Sequence, residues 1–547
     1  MPNFNSPLAA FLHWEAQCPD KIFLTQPING QLLTYTFAQA GMQARAIAAF
    51  LSSQGFSQGS HIALLSKNCA HWVMADLAIM MSGHVSIPIY PTLNAQSVEQ
   101  ILTHSESKAV IVGKLDDYSG QQAGVIDIPR IGVVAFGVEE QHSWEDLVAQ
   151  AQPWDGIVER GEDQLQTIIY TSGTTGNPKG VMHTVGNFMT SISTLKDILK
   201  LHEHARFFSY LPLAHVAERL IWTYALTLGG HVRFPESLET FAADLEATQP
   251  EAFFAVPRIW TKFQEKILEK IPQKKLSTLL SIPIISGIIK SKLQKKLGLK
   301  HSKITLSAAA PLSKDVIEWY QTIGIEILQV YGMTEDCCIS HFNLKGANKV
   351  GTVGKPLPGV KVKFSPEGEI LLKNDCLMKG YFKAPEMTSE VLDAEGYLHT
   401  GDMGEYDYDG YLSITGRAKD QFKTDKGKYI APAPIELIVG ESPYIEQICI
   451  VGTSIPQPIG LVVLSEHGNE KPMEELIPSL EESIAAVNPR LEKHERIEKI
   501  VVMKDNWSVE NGLMTPTLKL RRNRIEKRYQ SQYPSWFGEQ GQIVFER

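Results

Sequence analysis

Short apolar runs that stop abruptly at Gly, Pro, Ser or Thr recur along the chain to about residue 350, each giving way to helix-like spacing. Thr167-Ile168-Ile169-Tyr170 stops at a Gly- and Thr-rich segment, and Phe207 to Leu211 stops at Pro212. Ala252 to Val256 stops at Pro257, and Lys303 to Leu306 at Ser307-Ala308-Ala309-Ala310-Pro311. Such runs predict short buried strands, and their alternation with helices predicts an α/β domain built on doubly wound sheets. Ligands in such sheets gather at the loops that follow the strand carboxyl ends, and the unusual residues of this sequence fall there. The most apolar stretch, Val73 to Pro91, is interrupted by Asp76, Gly83 and His84. A membrane-spanning helix needs about 20 mainly apolar residues, so this stretch predicts a buried helix followed by a strand.

Beyond about Gly351 the pattern changes to shorter β segments, Gly368 to Leu372 and Tyr411 to Ile414. After Arg417 comes a charged stretch and then alternating strands and helices. With 547 residues the chain exceeds one ordinary core. The expected organisation is a large N-terminal domain, 1–416, with doubly wound sheets and a β-rich subdomain, and a small mobile C-terminal α+β domain, 417–547. No Gly/Ser linker separates them, which points to a hinge between docked bodies.

Composition narrows the function. A formal net charge of −9 argues against a nucleic-acid binder, while a small phosphate site needs only local cations and amides. The six cysteines form no CxxC pair and no zinc spacing, as expected of reduced, buried thiols in a cytoplasmic protein. The N-terminus lacks the basic start and apolar run of a signal peptide.

The strongest local signal is Tyr170-Thr171-Ser172-Gly173-Thr174-Thr175-Gly176-Asn177-Pro178-Lys179-Gly180. Gly173, Gly176 and Gly180 permit turns and close amide approach to an anion. The hydroxyls of Thr171, Ser172, Thr174 and Thr175 add donors, and Lys179 adds charge. The composition is that of a phosphate cradle, but Gly180 after Lys179 departs from the Ser or Thr of a P-loop.

This string resembles the signature loop of the adenylate-forming superfamily, which includes acyl-CoA synthetases. Further landmarks follow in the family's order: Gln329 to Glu335, Thr400-Gly401-Asp402, Gly416 to Asp420, and Asn511 to Lys519. The resemblance runs from about residue 10 to 530 and implies ATP, Mg²⁺ and coenzyme A as reactants and cofactor. By the same resemblance Glu335 would hold Mg²⁺, Thr334 would contact the α-phosphate, and Tyr331 beside Gly332 would pack on adenine. Ala308, Ala309 and Ala310 would line the other adenine face, where the family usually carries more glycine. Asp402 would accept from the ribose hydroxyls and Arg417 would donate to them. Lys519 would place a cation between carboxylate and α-phosphate, where charge develops in the transition state. Lys419 occupies the hinge position. Lys423 to Pro432 resembles the segment that approaches pantetheine, with Asp425-Lys426 where related chains often have Ser-Gly.

Leu211 to Arg219 and Val256 to Trp260 resemble the long-chain fatty acyl-CoA synthetase branch. His215 would lie beside the substrate carboxylate and gate the acyl pocket; Trp222 would belong to the pocket wall or to the core. An aryl or branched acid, or a carrier-protein thiol as acceptor, are the alternatives. A non-catalytic binding protein would lack Lys519 or Glu335. From Lys262 to Lys300 there are ten lysines against Glu265 and Glu269, interleaved with Ile, Leu and Phe. Such a stretch forms either a solvated helical pair or a peripheral contact with an anionic membrane.

Overall fold

The computed structural model describes residues 3–172, 178–515 and 519–547. The chain forms two compact units. The first comprises Met1–Ala310, Asp315–Lys361 and Leu372–Leu398; the second comprises Pro311–Lys314, Val362–Leu371 and His399–Arg547.

The largest sheet of the first unit has eight strands among the described residues, in the order Gly380–Tyr381, Pro178–Thr184, Leu165–Ser172, Val85–Ile89, His61–Leu65, Ala109–Val112, Arg130–Gly132 and His142–Ser143. The strands from Leu165–Ser172 to His142–Ser143 run parallel. His61–Leu65, Val85–Ile89 and Ala109–Val112 are almost wholly buried, as strands covered on both faces must be. A second sheet sets Ala252–Ala255, Ile304–Ser307 and Ile327–Tyr331 in parallel, with His341–Phe342 and Lys355–Pro356 added antiparallel. A third sheet joins Arg206–Phe208 and His231–Arg233 to the hairpin of Ile22–Ile28 and Gln31–Thr36.

The apolar-run strands are thus present, with two differences from expectation. The strand Leu165–Ser172 is followed across the Gly-rich segment by a second strand, Pro178–Thr184, paired antiparallel to it. The helix Val185–Leu199 begins only afterwards, at a capping box in which Thr184 and Asn187 satisfy each other's backbone amides. Val181 and Thr184, both β-branched, favour a strand there. The basic stretch after Pro257 forms three helices rather than a pair: Pro257–Lys270, Gln273–Ser281 and Pro283–Lys296. Pro272 and Pro283 punctuate them, because proline at a helix start needs no amide partner.

The stretch from Val73 folds as expected, into the helix Ala70–Met81 and the strand Val85–Ile89. Every residue of that helix is buried, including Asp76. Arg219, on the helix Val216–Thr227, meets it there. Its Nη2 lies 2.8 Å and 3.1 Å from the two Asp76 oxygens, and Nη1 donates to Ser86 at 3.3 Å. The guanidinium also stands 5.3 Å from the Trp72 ring centroid. Among the described residues no helix is long and apolar enough to cross a membrane.

In the second unit a four-stranded sheet contains Ile445–Val451, Ile459–Leu464, Lys499–Val502 and Ile543–Phe545. Alternation divides its residues between two cores. Ile450, Val462 and Ile500 pack with Ile435, Leu480 and Ile484, whereas Cys449, Leu461 and Val501 pack with Ile525, Tyr529 and Trp536. Period-two alternation with both faces apolar is the signature of a sheet sandwiched between helices. A second sheet, Lys361–Phe364, Glu369–Lys373, Leu398–Tyr406 and Leu412–Arg417, carries the Thr400 and Gly416 landmarks.

Removing one partner of a buried ion pair strands the other without solvent. Asp76→Asn is expected to lower unfolding free energy by about 3–5 kcal/mol, read as a shift of the urea midpoint; an unchanged midpoint would show that the pair contributes nothing.

Candidate active site

Among the described residues, Lys179 and Glu335 are brought together through one aromatic ring. Thr171 lies half-buried near the end of its strand, with Lys179 as its partner across the antiparallel pair. The side chain of Ser172, and Gly173, Thr174, Thr175 and Gly176, lie outside the described residues. Lys179 Nζ stands 5.2 Å from the centroid of the Tyr381 ring. Tyr381 Oη in turn donates to Glu335 Oε1 at 2.8 Å. Burial and the neighbouring Glu335 charge raise the Tyr381 phenol well above its ordinary range, so it stays protonated as a donor. One ring therefore sits between a cation over its face and a carboxylate at its hydroxyl.

Glu335 lies in the 3₁₀ turn Thr334–Asp336. Its carbonyl accepts from Met378 N at 2.8 Å, and Asp336 Oδ1 accepts from Met333 N at 2.8 Å. Tyr331 and Gly332 lead into this turn and are half-buried. A Cβ on Gly332 would lie 2.5 Å from the Cys338 Cα, so close backbone approach requires glycine there. Beneath the turn, His183 Nε2 lies 2.8 Å from the Thr334 carbonyl oxygen, and Nδ1 lies 3.2 Å from Cys337 Sγ. A carbonyl only accepts, so Nε2 carries the proton and Nδ1 receives the thiol hydrogen. Burial pushes His183 down to about 4, which keeps the ring neutral. His183 and Tyr381 escaped the sequence reading. The legible signals were a histidine in the strand after the Gly-rich loop and an aromatic residue after Gly380.

Hard oxygens suit Mg²⁺, and the Glu335 carboxylate is a donor of that kind. Among the described residues no three His, Cys, Asp or Glu side chains group as a metal cage. A cation there would take its remaining ligands from phosphate and water, as Mg²⁺ ordinarily does.

Ala309, exposed beyond the strand Ile304–Ser307, has φ +73°. The loop follows the left-handed path that glycine adopts freely, at a penalty of about 1–2 kcal/mol for alanine. His215 is the N-cap of the helix Val216–Thr227, and its Nδ1 accepts from Ala217 N at 3.2 Å. Trp222 belongs to the core, 5.8 Å from the Phe23 ring. Glu218, one turn after His215, is buried and accepts from Ser209 Oγ at 2.6 Å. Burial pushes its carboxyl up to about 8.

In the second unit Asp402 and Arg417 are cross-strand partners, joined by an Arg417 Nε to Asp402 Oδ1 contact of 2.9 Å. Asp402 is buried and Arg417 exposed. Lys419 is exposed on the 3₁₀ turn Ala418–Asp420. Lys519 is also exposed; its amide donates to Thr515 Oγ1 at 3.1 Å, and its carbonyl accepts from Thr515 N at 2.7 Å. Residues 516–518 of that loop lie outside the described residues. Arg522, three residues after Lys519, is largely buried. Its guanidinium pairs with Glu436, donates to the Ile450 carbonyl at 2.5 Å and lies 4.0 Å from Asp420. It thereby ties the start of the helix Arg522–Tyr529 to the residue after Lys419. The first unit brings Lys179, Thr334 and Glu335 to one place; the second pairs Asp402 with Arg417.

An α/β body with a cation and a carboxylate bracketing one phenol, followed by a smaller unit bearing paired Asp and Arg, is compatible with a nucleotide-using enzyme of adenylating type. The chain belongs to the AMP-binding enzyme family: the family's model matches residues 11–382, and the model of the AMP-binding enzyme C-terminal domain matches 419–537. It is 29% identical to long-chain-fatty-acid–CoA ligase 5 of Rattus norvegicus, over 92% of this chain and 84% of that one. It is 28% identical to long chain acyl-CoA synthetase 2 of Arabidopsis thaliana, over 96% and 91%. Its fold is similar to that of the adenylation domain of a carboxylate reductase from Mycobacterium chelonae, with TM-score 0.81 and 20% identity over 98% of this chain and 92% of that one.

Glu218 gives the site a pH signature. Between its ordinary value of 4.5 and about 8 the folded protein holds a proton that the unfolded chain has released. Its contribution to stability is therefore full below about pH 4.5 and is lost as pH rises through about 8. Glu218→Gln removes this dependence. Relative to that variant, the native urea midpoint is expected to fall between about pH 5 and about pH 8.5; parallel curves would refute a buried, protonated Glu218.

Proposed function

We propose that this enzyme activates a long-chain fatty acid with ATP and passes the acyl group to coenzyme A. The carboxylate oxygen attacks the α-phosphorus, the bond to pyrophosphate breaks, and acyl-AMP forms. The thiolate of coenzyme A then attacks the acyl carbonyl and AMP leaves. The substrate class is supported by the curated relatives, whose names state long-chain fatty acids and coenzyme A. The observation that carries the first half-reaction is the Lys179–Tyr381–Glu335 arrangement. It sets a cation and an oriented carboxylate together at the Gly-rich arm.

In this reading Thr171, Ser172, Gly173, Thr174, Thr175, Gly176 and Lys179 cradle the phosphates, and Thr334 contacts the α-phosphate. Glu335 would hold Mg²⁺, which would neutralise phosphate charge and support pyrophosphate as a leaving group. Tyr381 fixes which Glu335 oxygen is occupied by a neutral donor. Tyr331, Gly332 and Ala309 receive adenine, and Asp402 with Arg417 receives the ribose. His215 flanks the fatty acid carboxylate. The small domain, 417–547, turns about Lys419 so that Lys519 serves adenylation and the pantetheine arm serves thioester formation.

Pyrophosphate release and coenzyme A-dependent AMP formation, measured across a fatty-acid chain-length series, test the whole reading. Best turnover on aryl acids, or AMP release only with a carrier-protein thiol, would replace it. In the same assay Lys519→Ala is expected to lower adenylation by at least ~10²-fold, while thioester formation from supplied acyl-AMP changes much less. Lys419→Pro, which fixes φ, is expected to show the reverse pattern. Equal losses in both half-reactions for either variant would remove its assignment.

A peripheral membrane contact is a second reading, favoured by the helix Pro283–Lys296. None of its residues is buried, and Ile284 and Ile288 are 80% and 51% exposed beside Lys290 and Lys292. Apolar side chains rimmed by lysines match an anionic lipid surface, where a fatty acid would be collected. Sedimentation with anionic vesicles at low salt is expected to carry the protein down, and Ile284→Asp with Ile288→Asp to release it. Absence of binding would leave the lysines as a solvated face.

A further inference from the structure

Between the strand Arg206–Phe208 and the helix Val216–Thr227 the chain has no regular structure, and His215 stands at its end. A loop without ladder hydrogen bonds needs other partners for its buried polar groups. Here they come from a residue far away in sequence. Asn68, buried between the strand His61–Leu65 and the helix Ala70–Met81, donates from Nδ2 to Ser209 Oγ at 2.9 Å and to the Leu211 carbonyl at 2.7 Å. Its Oδ1 accepts from Leu213 N at 3.0 Å. Ser209 Oγ passes its own hydrogen to Glu218 Oε1 at 2.6 Å. From Leu213 the path to His215 is short: His215 N donates to the Pro212 carbonyl at 2.8 Å, and its carbonyl accepts from Arg219 N at 3.1 Å.

A planar carboxamide offers two donors and an acceptor in one fixed unit. Asn68 uses all three on alternate residues, 209, 211 and 213. No other side chain of that size provides both donors and the acceptor; aspartate keeps only the acceptor.

We infer that Asn68 is a positioning residue for the acyl site, holding Ser209–Leu213 in the path that aims His215 at the substrate carboxylate. The inference rests on the reading that His215 flanks that carboxylate. Asn68 touches neither substrate nor phosphate in this account. It acts through the loop, so its loss should be felt by the acid and not by the nucleotide.

The test is ATP–pyrophosphate exchange by the full chain, with KM for a long-chain fatty acid and for ATP measured separately. Asn68→Asp and Asn68→Ala are expected to raise the fatty acid KM by about 10-fold, the scale of losing buried hydrogen bonds, with the ATP KM within about 2-fold of native. Ser209→Ala, which removes only the hydroxyl between Asn68 and Glu218, is expected to give a smaller rise of the same selectivity and serves if the Asn68 variants do not fold. In a His215→Ala background the Asn68→Asp effect is expected to shrink, because both changes act at one point. Equal rises for acid and ATP, or full multiplicativity with His215→Ala, overturn the inference. If His215→Ala itself leaves the fatty acid KM unchanged, the acyl-site reading fails instead.

Discussion

The buried Arg219–Asp76 pair is the constraint from which the first unit is organised. A guanidinium and a carboxylate without water must find each other, and both oxygens of Asp76 lie within hydrogen-bond reach of Arg219 Nη2. That requirement ties the helix Val216–Thr227 to the helix Ala70–Met81 through these side chains, with Ser86 as a third contact. Apolar packing alone permits sliding; a buried charge pair does not. His215 is the cap of the first of these helices, and Asn68 lies just before Cys69, the cap of the second. The charge pair and the carboxamide clamp therefore register the same two segments at neighbouring points. Glu218, next to Arg219 in sequence, stays protonated because burial disfavours its charge and no cation among the described residues offsets that cost.

The turn that bears Glu335 is supported by neutral partners. Tyr381 donates as a phenol, and His183 bridges Thr334 and Cys337 as a neutral ring. Neutral supports orient a carboxylate without cancelling its charge. The close approach at Gly332 and the left-handed residues Cys337 and Cys338 compress the turn enough to bring these partners into reach.

The second unit shows a different economy of parts. Arg522 lies three residues after Lys519 and also reaches Asp420, next to Lys419. The segment bearing the proposed adenylation lysine and the residue after the proposed pivot thus share one buried guanidinium. Glu436, the Ile450 carbonyl and Cys449 Sγ accept its hydrogen bonds, which is how a long charged side chain can sit inside a small domain.

Much was legible in the residue pattern. Apolar runs ending in Gly and Pro announced the parallel strands, because burial on both faces and a sharp stop are both local properties. The ordered landmarks pointed to Lys179, Glu335, Asp402, Arg417 and Lys519 as candidates, since phosphate and ribose chemistry restricts residue types at fixed spacing. Asp76 shows where the reading stopped. From sequence it was an interruption that spoke against a membrane helix; in the fold it is the partner of Arg219, 143 positions away. Asn68, His183 and Tyr381 were invisible for the same reason, as was the second strand after the Gly-rich loop. Each acquires its role from a neighbour brought close by sheet order, and sheet order is decided by long-range pairing. Sequence by itself determined the chemistry available and the local elements. Tertiary structure decided which side chains hold that chemistry in place, because hydrogen bonds and buried charges are satisfied only between segments that packing has already brought together.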